Sequence, residues 1–342
     1  MSPAAGPEEM GRELSQGPDA VESTLAEVRR LHPKLSPLLA SARRIVLVGT
    51  GASLAVARTA APLWRGSTEQ GLVVRQSTEI ALGNLDGDHF AASDLVIAIS
   101  QSGTSAETLA AARRADMSGC RVLGITAHGD APLSAATSHT LLVQSGDEQG
   151  ASTMSALATL AALLGLAGLL PVDAAGAAVL AGRLRTTAAS ENDMEASARL
   201  LAGARHVWFI GFGAGLGIAE AGALLWHEKV VRQAMATTPS ELRHGPIEAV
   251  GADDAIVLID VDRPSPDRAA YLALLRAEVA QLGAALIELP STAEGEPPAR
   301  AMAALLRVQQ LARATALAAG TYREGFAVLR HVVTAADRLF EL

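Results

Sequence analysis

The chain repeats itself. Val48-Gly49-Thr50-Gly51-Ala52-Ser53-Leu54 returns 162 residues later as Ile210-Gly211-Phe212-Gly213-Ala214-Gly215-Leu216. The same offset sets Ala57 on Ala219, Leu63 on Leu225, Trp64 on Trp226, Thr78-Glu79 on Ser240-Glu241 and Gly83 on Gly245. Farther on, Asp94–Ser100 resembles Asp254–Asp260 at an offset of 160. A register kept through a turn, a helix and the loop beyond implies two related halves.

Each half reads as strand, glycine-rich turn, helix and further strands. Arg44–Val48, Leu72–Gln76, Leu95–Ile99, Arg121–Thr126 and Thr140–Val143 are β-like runs in the first half. Trp208–Ile210, Ala255–Ile259 and Ala285–Leu289 are the candidates in the second. Short apolar runs alternating with helical stretches predict the α/β class, with parallel sheets covered by helices. The length of 342 residues fits two domains. Residues 1–20, rich in Pro, Gly, Ser and Glu, are expected to be disordered. The first domain is expected over 21–173, a helical linker over 174–204 and the second domain over 205–342 with its C-terminal tail.

Bulk properties narrow the partners. A net charge of −8 and 3% aromatic residues argue against nucleic acid. The single cysteine, Cys120, permits no intrachain disulfide and no multi-cysteine zinc site, so no metal is expected. It precedes the apolar run Val122–Ile125 and reads as buried. Gly150–Val172 carries no charge and is long enough to span a bilayer. Its flanks are the acids Asp147, Glu148 and Asp173, and it mixes Leu with Ala, Gly, Ser and Thr, so a buried helix is expected and no membrane. Glu8, Glu9 and Glu13 do not look like a signal peptide, and a cytoplasmic protein is expected.

The apolar strand Leu95–Ile99 ends in Ser100-Gln101-Ser102-Gly103-Thr104-Ser105, with a helix predicted from about Ala106. A helix N-terminus offers free N–H groups and partial positive charge, and hydroxyls beside it add donors. Gly103 permits a tight turn. This combination suits a phosphate; an ordinary helix cap is the alternative. Gly49–Ser53 has the form G-x-G-x-x-L, without the third glycine or a ribose-binding acid, so no nicotinamide cofactor is expected. The second half lacks the hydroxyl loop. Asp260-Val261-Asp262 stands there, and its two acids would repel phosphate.

Ser100–Ser105 resembles the signature of sugar isomerase (SIS) domains. With Gly49–Ser53, Glu148–Ser155 and Glu241-Leu242-Arg243-His244-Gly245-Pro246, roughly residues 10–332 resemble a double SIS protein. Such a pair forms the isomerase half of glucosamine-6-phosphate synthase and related amino-sugar-phosphate deaminases. The resemblance implies two tandem SIS domains, each a flavodoxin-like three-layer sandwich. It implies a sugar phosphate surrounded by Thr50, Gly51, Ala52, Ser53, Ser100, Gln101, Ser102 and Ser105, with Ala151 and Thr153 lining the same pocket. It implies Glu228 as the base moving a proton between C1 and C2. It further implies His244 as the ring-opening histidine, contributed across a homodimer interface.

The sequence departs from that pattern in its lysines, of which it has two, Lys34 and Lys229. Leu225 stands one helical turn before Glu228, where the synthases keep a lysine; Leu329-Arg330-His331-Val332 and Thr153-Met154-Ser155 lack the others. An imine needs a primary amine, so imine chemistry is not expected here. Proton abstraction at C2 needs none. The expected substrate is a 6-phospho-hexosamine, undergoing isomerisation or deamination. Dehydration by loss of the C3 hydroxyl is one alternative, and a non-catalytic sugar-phosphate-binding protein another. No glutamine-hydrolysing segment is seen before residue 20, so synthesis from glutamine is not expected.

Overall fold

The structure, a computed structural model, describes residues 8–83, 90–146, 148, 150–289, 295–326 and 328. His331 and the end of the tail lie outside them. The described residues form two compact units. One covers Gln16–Ala181 and the residues from Gly325 on; the other covers Gly182–Glu324 and the first turns of helix α1 up to Ser15.

Helix α1 (Glu8–Ala40) corrects the expectation of disorder for residues 8–20, because the chain is helical from Glu8 through Pro18; residues 1–7 lie outside the described residues. Composition misleads there and periodicity does not. Met10, Leu14, Val21, Leu25, Val28, Leu31, Leu35 and Leu38 are all buried, spaced by three, four or seven residues as one helical face requires. Gly17 fills the gap in that stripe, and Leu157 packs 3.2 Å from where its Cβ would lie. Burial of this face outweighs the cost of about 3 kcal/mol expected of an interior proline.

The first unit continues with β1 (Arg44–Gly49), α2 (Ala52–Arg65), β2 (Gly71–Gln76), α3 (Ser77–Ala81), β3 (Asp94–Ile99), α4 (Ala106–Met117), β4 (Arg121–Thr126), α5 (Pro132–Ala135), β5 (His139–Leu142) and α6 (Met154–Leu166). Its strands pair in parallel in the order β2-β1-β3-β4-β5. Every residue of β3 is buried, as a strand covered on both faces demands. On one face Val46, Val48, Val96, Ala98 and Val122 pack against Ala111, Ala112 and Ala115 of α4 and against Cys120. Burial pushes the Cys120 thiol up to about 11. Helix α6 is buried from Met154 to Gly165. Among the described residues, no helix is long and apolar enough to cross a membrane.

Helices α7 (Ala174–Ala189) and α8 (Glu195–Gly203) lead into β6 (Val207–Gly211), α9 (Ala214–Leu225), a π-helical turn (Trp226–Val230), β7 (Ala234–Thr237), α10 (Pro239–Arg243), β8 (Ala255–Ile259), α11 (Pro266–Leu282), β9 (Ala285–Leu289) and α12 (Pro297–Ala318). The order in this sheet is β7-β6-β8-β9, again parallel. The boundary between the units falls inside α7, at Ala181–Gly182.

The sequence repeat is a structural repeat. Gly51 before α2 has φ 58° and ψ −128°; Gly213 before α9 has φ 48° and ψ −117°. A side chain rarely adopts this backbone, which lets each strand turn directly into its helix. A buried latch repeats as well. The Arg43 guanidinium lies 2.9 Å from Asp94 Oδ1, and that of Arg205 lies 2.8 Å from Asp254 Oδ2. Each aspartate also accepts an N–H from three residues upstream, Ala91 or Gly251. Burial works to raise the Asp94 carboxyl. The hydrogen bonds from Arg44 and Ala91, with the charges of Arg44 and Arg43, outweigh it and hold the group below its ordinary range. Asp254 is lowered first by its hydrogen bond from Arg205, against burial.

Candidate active site

In a parallel sheet ligands bind beyond the carboxyl ends of the strands, where the order reverses. In the first unit that place lies between β1 and β3. Val48 stands in register with Ala98, and two residues beyond this pair come Thr50 and Ser100. Neighbouring strands lie about 4.8 Å apart. The topology therefore brings Thr50, Gly51, Ala52 and Ser53 to the same mouth as Ser100, Gln101, Ser102 and Ser105.

The Ser100–Ser105 loop is held by its own hydrogen bonds. Ser100 is buried; its Oγ lies 3.0 Å from Ser105 Oγ and accepts from the Gly103 N–H at 3.2 Å. The Gln101 carbonyl accepts from Ala127 N and Thr126 Oγ1. The Ser102 hydroxyl accepts from Thr104 N and Thr104 Oγ1. Gly103 has φ 64°, and a Cβ there would lie 2.4 Å from Ala131 Cβ.

Two features separate this loop from an ordinary helix start. Ser105 occupies the cap position of α4, yet its side chain caps nothing. The Thr50 hydroxyl is sealed from solvent and has no hydrogen-bond partner. The α4 amides thus lack a side-chain cap, and a buried polar group without a partner, such as the Thr50 hydroxyl, is costly.

Ala151 and Thr153 are both buried, Thr153 completely. Thr153 donates through N (2.8 Å) and Oγ1 (3.1 Å) to Glu148 Oε1, which also accepts from Ser155 N at 3.0 Å. The Ser155 hydroxyl donates to the other Glu148 oxygen. Glu148 thus caps α6 and takes up the Thr153 hydroxyl. A carboxylate at a helix N-terminus is favourable, and the spacing Glu148–Met154 was the available signal.

The matching mouth of the second unit, between β6 and β8, is filled. Arg268 reaches from the first turn of α11 to Asp260 Oδ1 (2.7 Å) and Asp262 Oδ2 (2.9 Å), with its guanidinium 4.5 Å from the centre of the Phe212 ring. Ser265 Oγ accepts from Arg268 N and caps α11. Arg268 pairs with both of the acids that were expected to repel phosphate. Sequence reading missed Arg268, six residues past Asp262.

Glu228 and His244 both belong to this unit, at opposite ends of β7. Helix α9 starts beyond the carboxyl end of β6 and returns, through the π turn that carries Glu228, to where β7 begins. His227 fixes that turn, its Nε2 lying 3.1 Å from both N and O of Ala234. His244 follows α10, past the far end of the strand, and is exposed. Four strand residues span about 13 Å. Within one chain this unit therefore does not set the imidazole beside the carboxylate. Burial pushes the half-buried Glu228 carboxyl up to about 7, partly opposed by the charge of Lys229. A carboxyl poised near neutrality suits a general base.

The SIS domain family matches residues 38–167. The chain carries a SIS domain. It is 30% identical over 272 residues to glutamine–fructose-6-phosphate aminotransferase (isomerizing) of Pseudomonas syringae pv. tomato, covering 73% of this chain and 44% of that protein. The SIS chain thus spans under half the length of this curated relative. Among solved structures, tagatose-6-phosphate ketose/aldose isomerase of Escherichia coli shares the fold with TM-score 0.79 and 21% identity, over 93% of this chain and 95% of that one. Glucosamine-6-phosphate deaminase of Thermotoga maritima shares it with TM-score 0.72 and 18% identity, over 92% and 96%.

Proposed function

We propose that this chain is a sugar-phosphate enzyme of two tandem SIS domains, with one active site per chain. Its substrate is a 6-phospho-hexosamine, glucosamine-6-phosphate or N-acetylglucosamine-6-phosphate. The phosphate sits against Thr50–Ser53 and Ser100–Ser105, Glu228 removes the C2 proton, and His244 of a second copy assists ring opening. The observation that carries this reading is the first mouth, where Ser105 leaves α4 uncapped and Thr50 has an unpartnered hydroxyl. The repeated turn and latch support a second SIS domain. The separation of His244 from Glu228 supports its use in a neighbouring copy. The names of the relatives, an isomerizing aminotransferase, a ketose/aldose isomerase and a deaminase, agree with proton transfer at C2.

Once C2 is deprotonated, return of the proton at C1 gives a ketose. On a free amino sugar, the enamine instead tautomerises and hydrolyses with loss of ammonia. One observation favours a second reading, loss of the C3 hydroxyl as water. Leu225 is buried where the synthases keep a lysine, and the buried Lys229 amine is held by protein groups. The test is incubation with both sugar phosphates in ordinary water, with products resolved by mass. Ammonia marks deamination, a loss of one water marks dehydration, and an isobaric ketose marks isomerisation. All three remove the C2 hydrogen, so deuterium placed at C2 of the substrate must leave that carbon, and none of the products should form with Glu228→Gln. Binding without any of these products would leave a sugar-phosphate-binding protein and sink the enzyme reading.

A further inference from the structure

Lys229 follows Glu228 in the π turn and is buried to 1% exposure. Lysine is almost never buried so completely unless its charge is paired. The strap after α12 holds it at both ends. Lys229 Nζ donates to the Arg323 carbonyl at 3.2 Å and lies 5.8 Å from the centre of the Tyr322 ring. Thr321 Oγ1 donates to the Lys229 carbonyl at 3.4 Å. The Tyr322 hydroxyl in turn donates to Glu324 Oε1 at 2.9 Å and accepts from Met10 N. Other charges face this group from the neighbouring elements: Glu9 on α1, Arg313 on α12, and Glu324 on the strap. Burial raises the Glu324 carboxyl, and the charge of Lys229 works to lower it.

The π turn itself is closed by Val231 N donating to the Trp226 carbonyl, and Val231 is forced to φ 57°. A β-branched residue with positive φ is strained, and such strain persists only where its surroundings impose it. Trp226 beneath the turn is buried edge-on against Phe209. The turn is thus held by its own closing hydrogen bond and by the packing of Trp226, with Lys229 buried and Glu228 half-buried in it.

We propose that Lys229, clamped by the strap Thr321–Glu324, is a positioning residue that supplies the fixed positive charge on which Glu228 depends to act as a base. This rests on the reading of Glu228 given above. A half-buried carboxyl tends to keep its proton, and a proton-bearing carboxyl cannot accept one from C2. A solvent-exposed lysine would be screened; a buried one on the next residue of the same turn is screened far less, and its charge works to lower the Glu228 carboxyl.

The test measures the charge state of Glu228 directly. With 13C-labelled glutamate, the Glu228 carboxyl signal is assigned by its loss in Glu228→Gln and titrated in the full-length protein. Lys229→Met should move its midpoint upward by roughly one pH unit, and the acid limb of C2 hydrogen removal should move with it while KM changes little. Lys229→Arg should restore the parent behaviour. Glu324→Gln, which removes a negative charge beside the ammonium, should move the midpoint the other way and serves if Lys229→Met fails to fold. An unchanged midpoint in a folded Lys229→Met, or in Glu324→Gln, overturns the proposal. If the parent protein removes no C2 hydrogen, the enzyme reading falls, while the titration still decides whether Lys229 sets the charge of Glu228.

Discussion

Ser105 and Ser265 stand at matching places in the two halves, 160 residues apart, and do different things. Ser265 caps its helix through the Arg268 N–H; Ser105 turns its hydroxyl to Ser100 and leaves the first amides of α4 uncapped. Losing a working cap costs about 1 kcal/mol. Ser265→Ala should therefore lower stability by about that amount in denaturant titrations, and Ser105→Ala by much less. For binding the order reverses. Ser105→Ala should weaken sugar-phosphate affinity about 5- to 10-fold, the worth of one hydrogen bond, and Ser265→Ala should leave it unchanged in calorimetry.

At the scale of elements, the glycine-rich loop before α4 is the most constrained. Gly103→Ala puts a side chain at φ 64° and within 2.4 Å of Ala131 Cβ. It should cost about 3 kcal/mol of stability and abolish phosphate binding, both measurable on one preparation by melting with and without sugar phosphate. This loop was legible because an apolar strand, a hydroxyl cluster and a helix follow one another without interruption. Strands β1, β3, β4 and β8 were legible because each holds a continuous apolar run, and β9 because Ala285–Ile287 and Leu289 are apolar around the single Glu288. Strand β7 was not: Ala234-Met235-Ala236-Thr237 is short and weak in β-formers, and only its pairing with β6 makes it a strand. The start of α1 was hidden by Pro18 and its Gly- and Glu-rich surroundings, although the stripe from Met10 was present. The π turn has no sequence signal, since a fifth residue per turn is imposed by packing.

At the scale of the whole molecule, both units rest on a buried aspartate latch. A carboxyl held below its ordinary range stabilises the fold above the pKa it has when unfolded, about 3.9, and loses that contribution as pH falls through the folded value. Melting temperature should therefore change little between pH 7 and 5 on account of Asp94 and Asp254, and fall below about pH 4. Asp94→Asn should cost about 2 kcal/mol at pH 7 and flatten the acid decline; an equally steep decline would show that other groups cause it. Assembly gives a separate prediction. If Glu228 and His244 meet only between copies, neither Glu228→Gln nor His244→Ala is active alone. Mixed after unfolding and refolding together, they should recover about a quarter of parental activity, because half the dimers are hybrids with one intact site of two. No recovery would place both residues in a single-chain site or outside catalysis.

The Arg268 plug leaves the two matching mouths with unequal obligations. The first keeps the Thr50 hydroxyl without a partner and the first amides of α4 uncapped, a standing debt in stability. The second is complete without any guest, so its loop is free to drift wherever aspartate and arginine drift together. Substitutions gathered by random mutagenesis should therefore divide unevenly: paired charge exchanges tolerated around Asp260, Asp262 and Arg268, and scarcely any change tolerated from Ser100 to Ser105.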